Sequence, residues 1–231
     1  MKDGFIRVAA ATPDIKVADC GYNADRIIEL IKQAAAENAS LVVFPELCIT
    51  AYTCGDLFLQ KVLLDGAKKA LVKIAEETAG CDLLAFVGLP FEADGKLYNC
   101  AAAINKGNII GFVPKKNIPA YSEFYETRHF AQWQGGNITV KCAGGKDDER
   151  YKPYACFGDM LFQCDKIPEL VIGVEICEDF WIPEPPSGGL ATAGATVICN
   201  LSASDEVIGK SEYREQLVKS QSARCVCGYI Y

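Results

Sequence analysis

The sequence predicts an α/β fold, and three observations carry the prediction. Short apolar runs alternate with stretches of helical spacing, a hairpin interrupts the alternation, and several apolar runs end on a polar, reactive residue. Phe5 to Ala10 reads as a buried first strand. Asp19 to Asn38 reads as a helix, with Ile27, Ile28, Leu30 and Ile31 on an apolar face and Ala34 to Ala36 favouring helix. Leu41 to Phe44 is a second strand between Ser40 and Pro45. A longer helix runs from Leu57 or Leu59 to Thr78, because Val62, Leu63, Ala67, Ala70, Leu71 and Ile74 recur at helical spacing. Cys81 to Leu89 is a third strand.

The rhythm then changes. Tyr98 to Asn105 and Ile109 to Val113 are strand-like runs separated by Lys106-Gly107-Asn108, a hairpin signal because Gly and Asn tolerate the positive backbone angles of tight turns. Pro119 to Gly136 mixes aromatics and charges without a period, as a long functional loop does, with a short helix at best. Asn137 to Cys142 and Ala155 to Cys164 read as strands, and Leu170 to Ile176 as a strong buried one. Trp181 to Ala193, with three prolines and two glycines, reads as a loop. Thr196 to Asn200 is a strand, Ser211 to Arg224 a helix, and Cys225 to Tyr231 the start of one more strand. The 231 residues show no repeat or linker and read as a single domain spanning 1–231. They stop inside that apolar run, so the sequence is expected to be part of a longer protein.

Composition excludes several classes of function. The net charge is −7, from 23 basic and 30 acidic residues, and no basic cluster is available for nucleic acid. No apolar run approaches the ~18 residues of a membrane helix, no signal layout opens the chain, and a cytoplasmic setting is expected. Twelve cysteines suggest a disulfide scaffold, but such scaffolds are short and secreted. Several, such as Cys48, Cys100, Cys199 and Cys225, lie in apolar runs, where a thiol behaves as a small hydrophobe. No C-x-x-C pair occurs and His129 is the single histidine, so no metal site is expected. Ala143-Gly144-Gly145-Lys146-Asp147-Asp148 faintly resembles a pyrophosphate loop, but a polar hairpin turn explains it better.

With one histidine, a nucleophilic cysteine would draw its activation from lysine and carboxylates. Three strand ends offer these groups. Leu41 to Phe44 runs into Pro45-Glu46-Leu47, Ile109 to Val113 into Pro114-Lys115-Lys116, and Leu170 to Ile176 into Cys177-Glu178-Asp179. Ligands of open α/β sheets bind beyond the carboxyl ends of strands, so three such ends from one sheet could share a pocket. Each residue alone is more often structural: a turn carboxylate, a surface lysine pair, a core cysteine.

These segments, Val42-Val43-Phe44-Pro45-Glu46-Leu47, Val113-Pro114-Lys115-Lys116 and Gly173-Val174-Glu175-Ile176-Cys177-Glu178-Asp179, resemble the nitrilase, or carbon–nitrogen hydrolase, superfamily in order and spacing. The finer text is similar to the branch formed by the glutaminase domains of glutamine-dependent NAD synthetases, in Glu46 to Phe58, Pro119 to Glu126, Cys177 to Pro183 and Asn200 to Ser204 with Ile208-Gly209-Lys210. The resemblance implies a four-layer α-β-β-α sandwich, incomplete at its C-terminus, and a separate ATP- and magnesium-dependent synthetase domain that amidates deamido-NAD. It also implies a homo-oligomer, and no cofactor in this chain.

The site implied is a cysteine–lysine–glutamate centre. Cys177 would attack the side-chain amide of L-glutamine and form a thioester, with its thiolate favoured by Lys115. Lys115 would stabilise the oxyanion together with the backbone N–H after Cys177, and Glu46 would move protons. Glu123 and Glu126 are both placed to assist. By resemblance, Ser204 and Lys210 would hold the substrate carboxylate, Glu178 and Tyr121 its ammonium, and Tyr52, Phe124 and Trp181 would wall the pocket. Lysine at 210, where the family commonly has arginine, binds as a point charge without a fork. A stand-alone amidase acting on another small amide and a non-catalytic docking domain are the competing expectations.

Overall fold

The structure, a computed structural model, describes residues 4–142 and 153–231; the Gly144-Gly145 segment lies outside them. The chain opens with β1 (Val8–Ala10), α1 (Cys20–Ala36) and β2 (Leu41–Val43). The Asp19 side chain accepts the Tyr22 N–H and caps α1, so the helix begins where its apolar face does. A 3-10 segment, Tyr52–Leu59, precedes α2 (Lys61–Glu77). Gln60 between them is extended, which is why the second helix starts later than its apolar spacing suggests.

A meander follows: β3 (Leu84–Ala93), β4 (Lys96–Asn105) and β5 (Asn108–Pro114). The β4–β5 turn is the expected one, with Lys106 and Gly107 both at positive φ. Asp94-Gly95 makes a like turn between β3 and β4. The loop after β5 holds only a 3-10 turn, Glu126–Arg128. Then come β6 (Asn137–Lys141), β7 (Tyr154–Gly158), β8 (Phe162–Cys164) and β9 (Ile167–Ile176), a 3-10 turn Cys177–Phe180, α3 (Pro186–Thr192), β10 (Val197–Leu201), α4 (Lys210–Cys225) and β11 (Gly228–Ile230). The stretch expected as loop, Trp181 to Ala193, therefore contains a helix. Pro186 occupies its first turn, where a missing N–H costs nothing. The first strand is also a correction. β1 is three residues long, mostly exposed, and sits at a sheet edge.

The strands form two sheets, β1-β2-β3-β4-β5-β7-β6 and β11-β10-β9-β8. Ile27, Ile31, Ala67, Leu71 and Ile74 of α1 and α2 pack on one face of the larger sheet. Leu41, Val43, Phe86, Ala101 and Ala103 on its other face meet Leu170, Ile172, Val174 and Ile176 of the smaller sheet. Ile198, Leu190, Ala195 and Cys227 pack the smaller sheet under α3 and α4. The order of layers is thus α-β-β-α, as the resemblance implied. All twelve cysteines are unpaired. Most are buried, while Cys156 is exposed and Cys225 only half-buried. No helix among the described residues is long and apolar enough to cross a membrane.

Candidate active site

The three reactive strand ends come together, but from two sheets rather than one. Glu46 follows β2 and Lys115 follows β5 in the larger sheet, and Cys177 follows β9 in the smaller. Face-to-face packing brings the carboxyl ends of β2, β5 and β9 to one cleft. Gly88 is needed for this. A Cβ there would lie 2.3 Å from Leu47 N and 2.7 Å from Pro45 O, so only glycine lets the Glu46 segment cross β3 so closely.

Lys115 is fully buried. Its Nζ donates to Glu46 Oε1 at 2.6 Å and to Glu126 Oε1 at 2.7 Å. An ammonium carries three N–H donors, so one remains for a further acceptor. Burial opposes the Lys115 charge, but Glu46, Cys177 as thiolate and Glu126 outweigh it and hold the ammonium's pKa above the ordinary lysine value. Burial, and then the Glu46 charge, raise the Glu126 carboxyl, against Lys115. Glu46 Oε2 also accepts the Ala203 N–H at 3.2 Å, which ties the base to the chain leaving β10.

Cys177 sits at φ +44°, a sharp elbow between β9 and its 3-10 turn. Positive φ is costly for a side-chain-bearing residue, and here it turns the thiol out of the strand toward the cleft. Burial pushes the thiol pKa well above the ordinary value, Glu46 adds to this, and Lys115 with contacts from Ser202 and Ala203 pulls it back only partly. Lys115 favours the thiolate in sign, but desolvation wins.

Asp179 joins the two sheets at this point. Its buried carboxylate accepts Asn117 N at 2.7 Å and Asn117 Nδ2 at 3.0 Å after β5, and Ile176 N at 3.0 Å beside the nucleophile. Lys116 N donates to it as well, at 3.1 Å.

Beyond the cleft, a cavity of about 290 Å³ is lined by Tyr121, Phe124, Cys177, Glu178, Trp181, Ser204 and Lys210 among others. Six of the seven residues expected to bind substrate thus face one space with the cysteine. The Tyr121 hydroxyl donates to both Glu178 oxygens, at 3.1 and 3.0 Å. Lys210 Nζ is ion-paired with Asp205 and lies 5.1 Å from the Trp181 ring centroid. Tyr52 is the exception. It is not among the residues lining this cavity, and its hydroxyl donates to Glu126 Oε1 at 2.7 Å.

Two participants, Asn99 and Asn200, are not predicted by the sequence, and a third, Glu126, is predicted only as one of two alternatives. Glu126 is not distinguished by sequence from Glu123, which lines the cavity instead. Asn99 lies inside an apolar strand, and its Nδ2 donates to Glu46 at 2.6 Å and to Glu126 at 3.3 Å. A lone asparagine within an apolar run was the available signal. Asn200, in the Asn200 to Ser204 segment, accepts the Cys177 N–H on its Oδ1 at 3.1 Å, a contact the sequence does not signal. Among the described residues no group of three or more His, Cys, Asp and Glu side chains could hold a metal ion.

A buried thiol, an ammonium and two carboxylates, meeting between the sheets of an α-β-β-α sandwich, define a hydrolase of the thiol type. The chain belongs to the carbon–nitrogen hydrolase family, whose pattern matches residues 7–231. It is similar to the glutamine-dependent NAD(+) synthetase of Mycobacterium tuberculosis, 40% identical over 229 residues, and to that of Aquifex aeolicus, 28% identical over 228. These cover 99% and 98% of this chain but 32% and 35% of the relatives, so the chain spans about a third of their length. The crystal structure of a glutamine-dependent NAD(+) synthetase from Cytophaga hutchinsonii matches 97% of this chain and 35% of its own, with a TM-score of 0.81 and 32% identity. An amidase from Nesterenkonia sp. shares the fold over all of this chain, with a TM-score of 0.72 and 16% identity.

Proposed function

We propose that this chain is the glutaminase part of a glutamine-dependent NAD synthetase, releasing ammonia from L-glutamine for a synthetase domain elsewhere in the protein. The observation that carries this is the cavity in which a carboxylate, a cation and hydroxyls surround the approach to Cys177. Those groups suit the ammonium and carboxylate of an amino acid. The similarity to the synthetases of M. tuberculosis and C. hutchinsonii supports it. The ATP and magnesium of such a reaction belong to the synthetase domain, and a cytoplasmic homo-oligomer is its natural setting.

Each step balances on groups at hand. Glu46 takes the Cys177 proton as sulfur attacks the amide carbon. The new C–S bond pushes an electron pair onto oxygen, where the third Lys115 N–H and the Glu178 N–H receive it. The Glu178 amide lies in the first turn of a 3-10 helix and has no partner within that turn. Glu46 then protonates the departing nitrogen, the C–N bond breaks, and ammonia leaves a thioester. Water, deprotonated by Glu46, attacks the thioester carbon and releases glutamate and the thiol. Glu126 holds Lys115 and is itself held by Tyr52 and Asn99.

The Lys210–Asp205 ion pair favours a second reading, an amidase for a small amide without a carboxylate, because the cation is already partnered. Ammonia release from glutamine and from a neutral aliphatic amide separates the two. Glutamine preferred by about a hundredfold or more in kcat/KM, an effect of the size a charge-assisted contact supplies, supports the glutaminase. Equal or reversed preference supports the amidase, and activity surviving Cys177→Ser with neither slowed overturns both.

A further inference from the structure

A chain of buried polar side chains runs from α4 to the back of the nucleophile. Gln221 Nε2 donates to Ser187 Oγ at 2.9 Å, and the Ser187 N–H donates to Glu175 Oε2 at 2.7 Å. The Tyr229 hydroxyl donates to Glu175 Oε1 and accepts Asn200 Nδ2 at 3.2 Å. Asn200 Oδ1 then accepts the Cys177 N–H. Glu175, Ser187, Asn200 and Gln221 are all buried. Polar groups are costly to bury, and helix-to-sheet packing does not require these.

The end of this chain matters because of what it removes. A cysteine nucleophile has two backbone amides at hand for the oxyanion, its own and the next. Here the Cys177 amide is taken by Asn200. Asn200 cannot rotate its amide group without breaking bonds at both ends, since Tyr229, committed to Glu175, fixes where Nδ2 points. We propose that Asn200, oriented by Tyr229 and Glu175, is a positioning residue that sets the elbow so that the Glu178 amide, and not that of Cys177, joins Lys115 at the oxyanion. This rests on the acyl-transfer chemistry proposed above and adds the residue that aims it. Without Asn200 the Cys177 peptide is free to turn, and the Glu178 N–H following it loses its aim.

The test compares two reactions of one thiol in the protein. Amide hydrolysis needs the oxyanion site, whereas alkylation of Cys177 by iodoacetamide displaces iodide and builds no oxyanion. In Asn200→Leu, kcat for glutamine is expected to fall about a hundredfold with KM within about threefold, while Cys177 alkylation slows less than about fivefold. Tyr229→Phe, which deletes one hydroxyl and spares the fold if Asn200→Leu does not, is expected to lower kcat about tenfold with the same split. Equal losses of hydrolysis and alkylation, or an unchanged kcat in Tyr229→Phe, overturn the inference. A wild-type Cys177 that neither hydrolyses amides nor is alkylated overturns the acyl-transfer chemistry beneath it, and is told apart because no variant is needed to see it.

Discussion

Lys115 Nζ stands 2.6 Å from Glu46 Oε1, and neither side chain is exposed to solvent. Such a pair is costly to form and more costly to break, because the remaining charge stays buried without its partner. Lys115→Met leaves Glu46 and Glu126 facing each other, so unfolding free energy is expected to fall by about 3–5 kcal/mol. Loss of the oxyanion donor is expected to lower kcat by ~100–1,000-fold. Urea unfolding and ammonia release check the two parts, and an unchanged stability would mean the cluster is not closed as described.

Tyr52→Phe deletes the hydroxyl bonded to Glu126 Oε1 without opening the core. That bond lowers the Glu126 pKa, against burial and the Glu46 charge that raise it. Its loss moves the pKa further up. The acid limb of kcat/KM, where Glu126 must be ionised to hold Lys115, is expected to shift to higher pH, with kcat near neutrality reduced about three- to tenfold. A pH–rate profile identical to wild type removes Glu126 from the working cluster.

Asp179 bridges the ends of β5 and β9, and burial raises its carboxyl from 3.8 to about 6 despite the N–H groups it accepts. The folded state therefore binds this proton more tightly than the unfolded chain does. Its contribution to stability is largest below about pH 4, declines as pH rises toward about 6, and is constant above, for a difference of about 3 kcal/mol. Unfolding measured at several pH values in wild type and Asp179→Asn checks this. The wild-type curve should fall relative to the variant across that window, and a relative rise contradicts it.

Much of the site was legible because its catalytic candidates end apolar runs. Glu46, Lys115 and Cys177 are conspicuous as polar residues where β2, β5 and β9 stop. The sheet each strand joins was not legible, since pairing is decided by contacts far apart in sequence. Glu126 could not be separated from Glu123, because the loop carrying both has no period, and only the long-range contacts to Lys115 and Tyr52 distinguish them. Cys177 looked like an activated thiolate from its charged neighbours, but burial decides the balance, and burial is a property of the packed cleft. The α3 helix was hidden by glycines and prolines that the first turn and a supporting sheet tolerate.

The most direct measurement is mass spectrometry of the protein after a glutamine-mimicking, thiol-reactive electrophile, with and without excess glutamine. Twelve unpaired cysteines compete, and Cys156 is exposed while Cys177 is buried at the end of the cavity. A single adduct on Cys177, suppressed by glutamine, absent in Cys177→Ala and slowed in Lys115→Ala, is the expected result. Labelling that spreads over several cysteines and ignores glutamine contradicts a privileged thiol at this site.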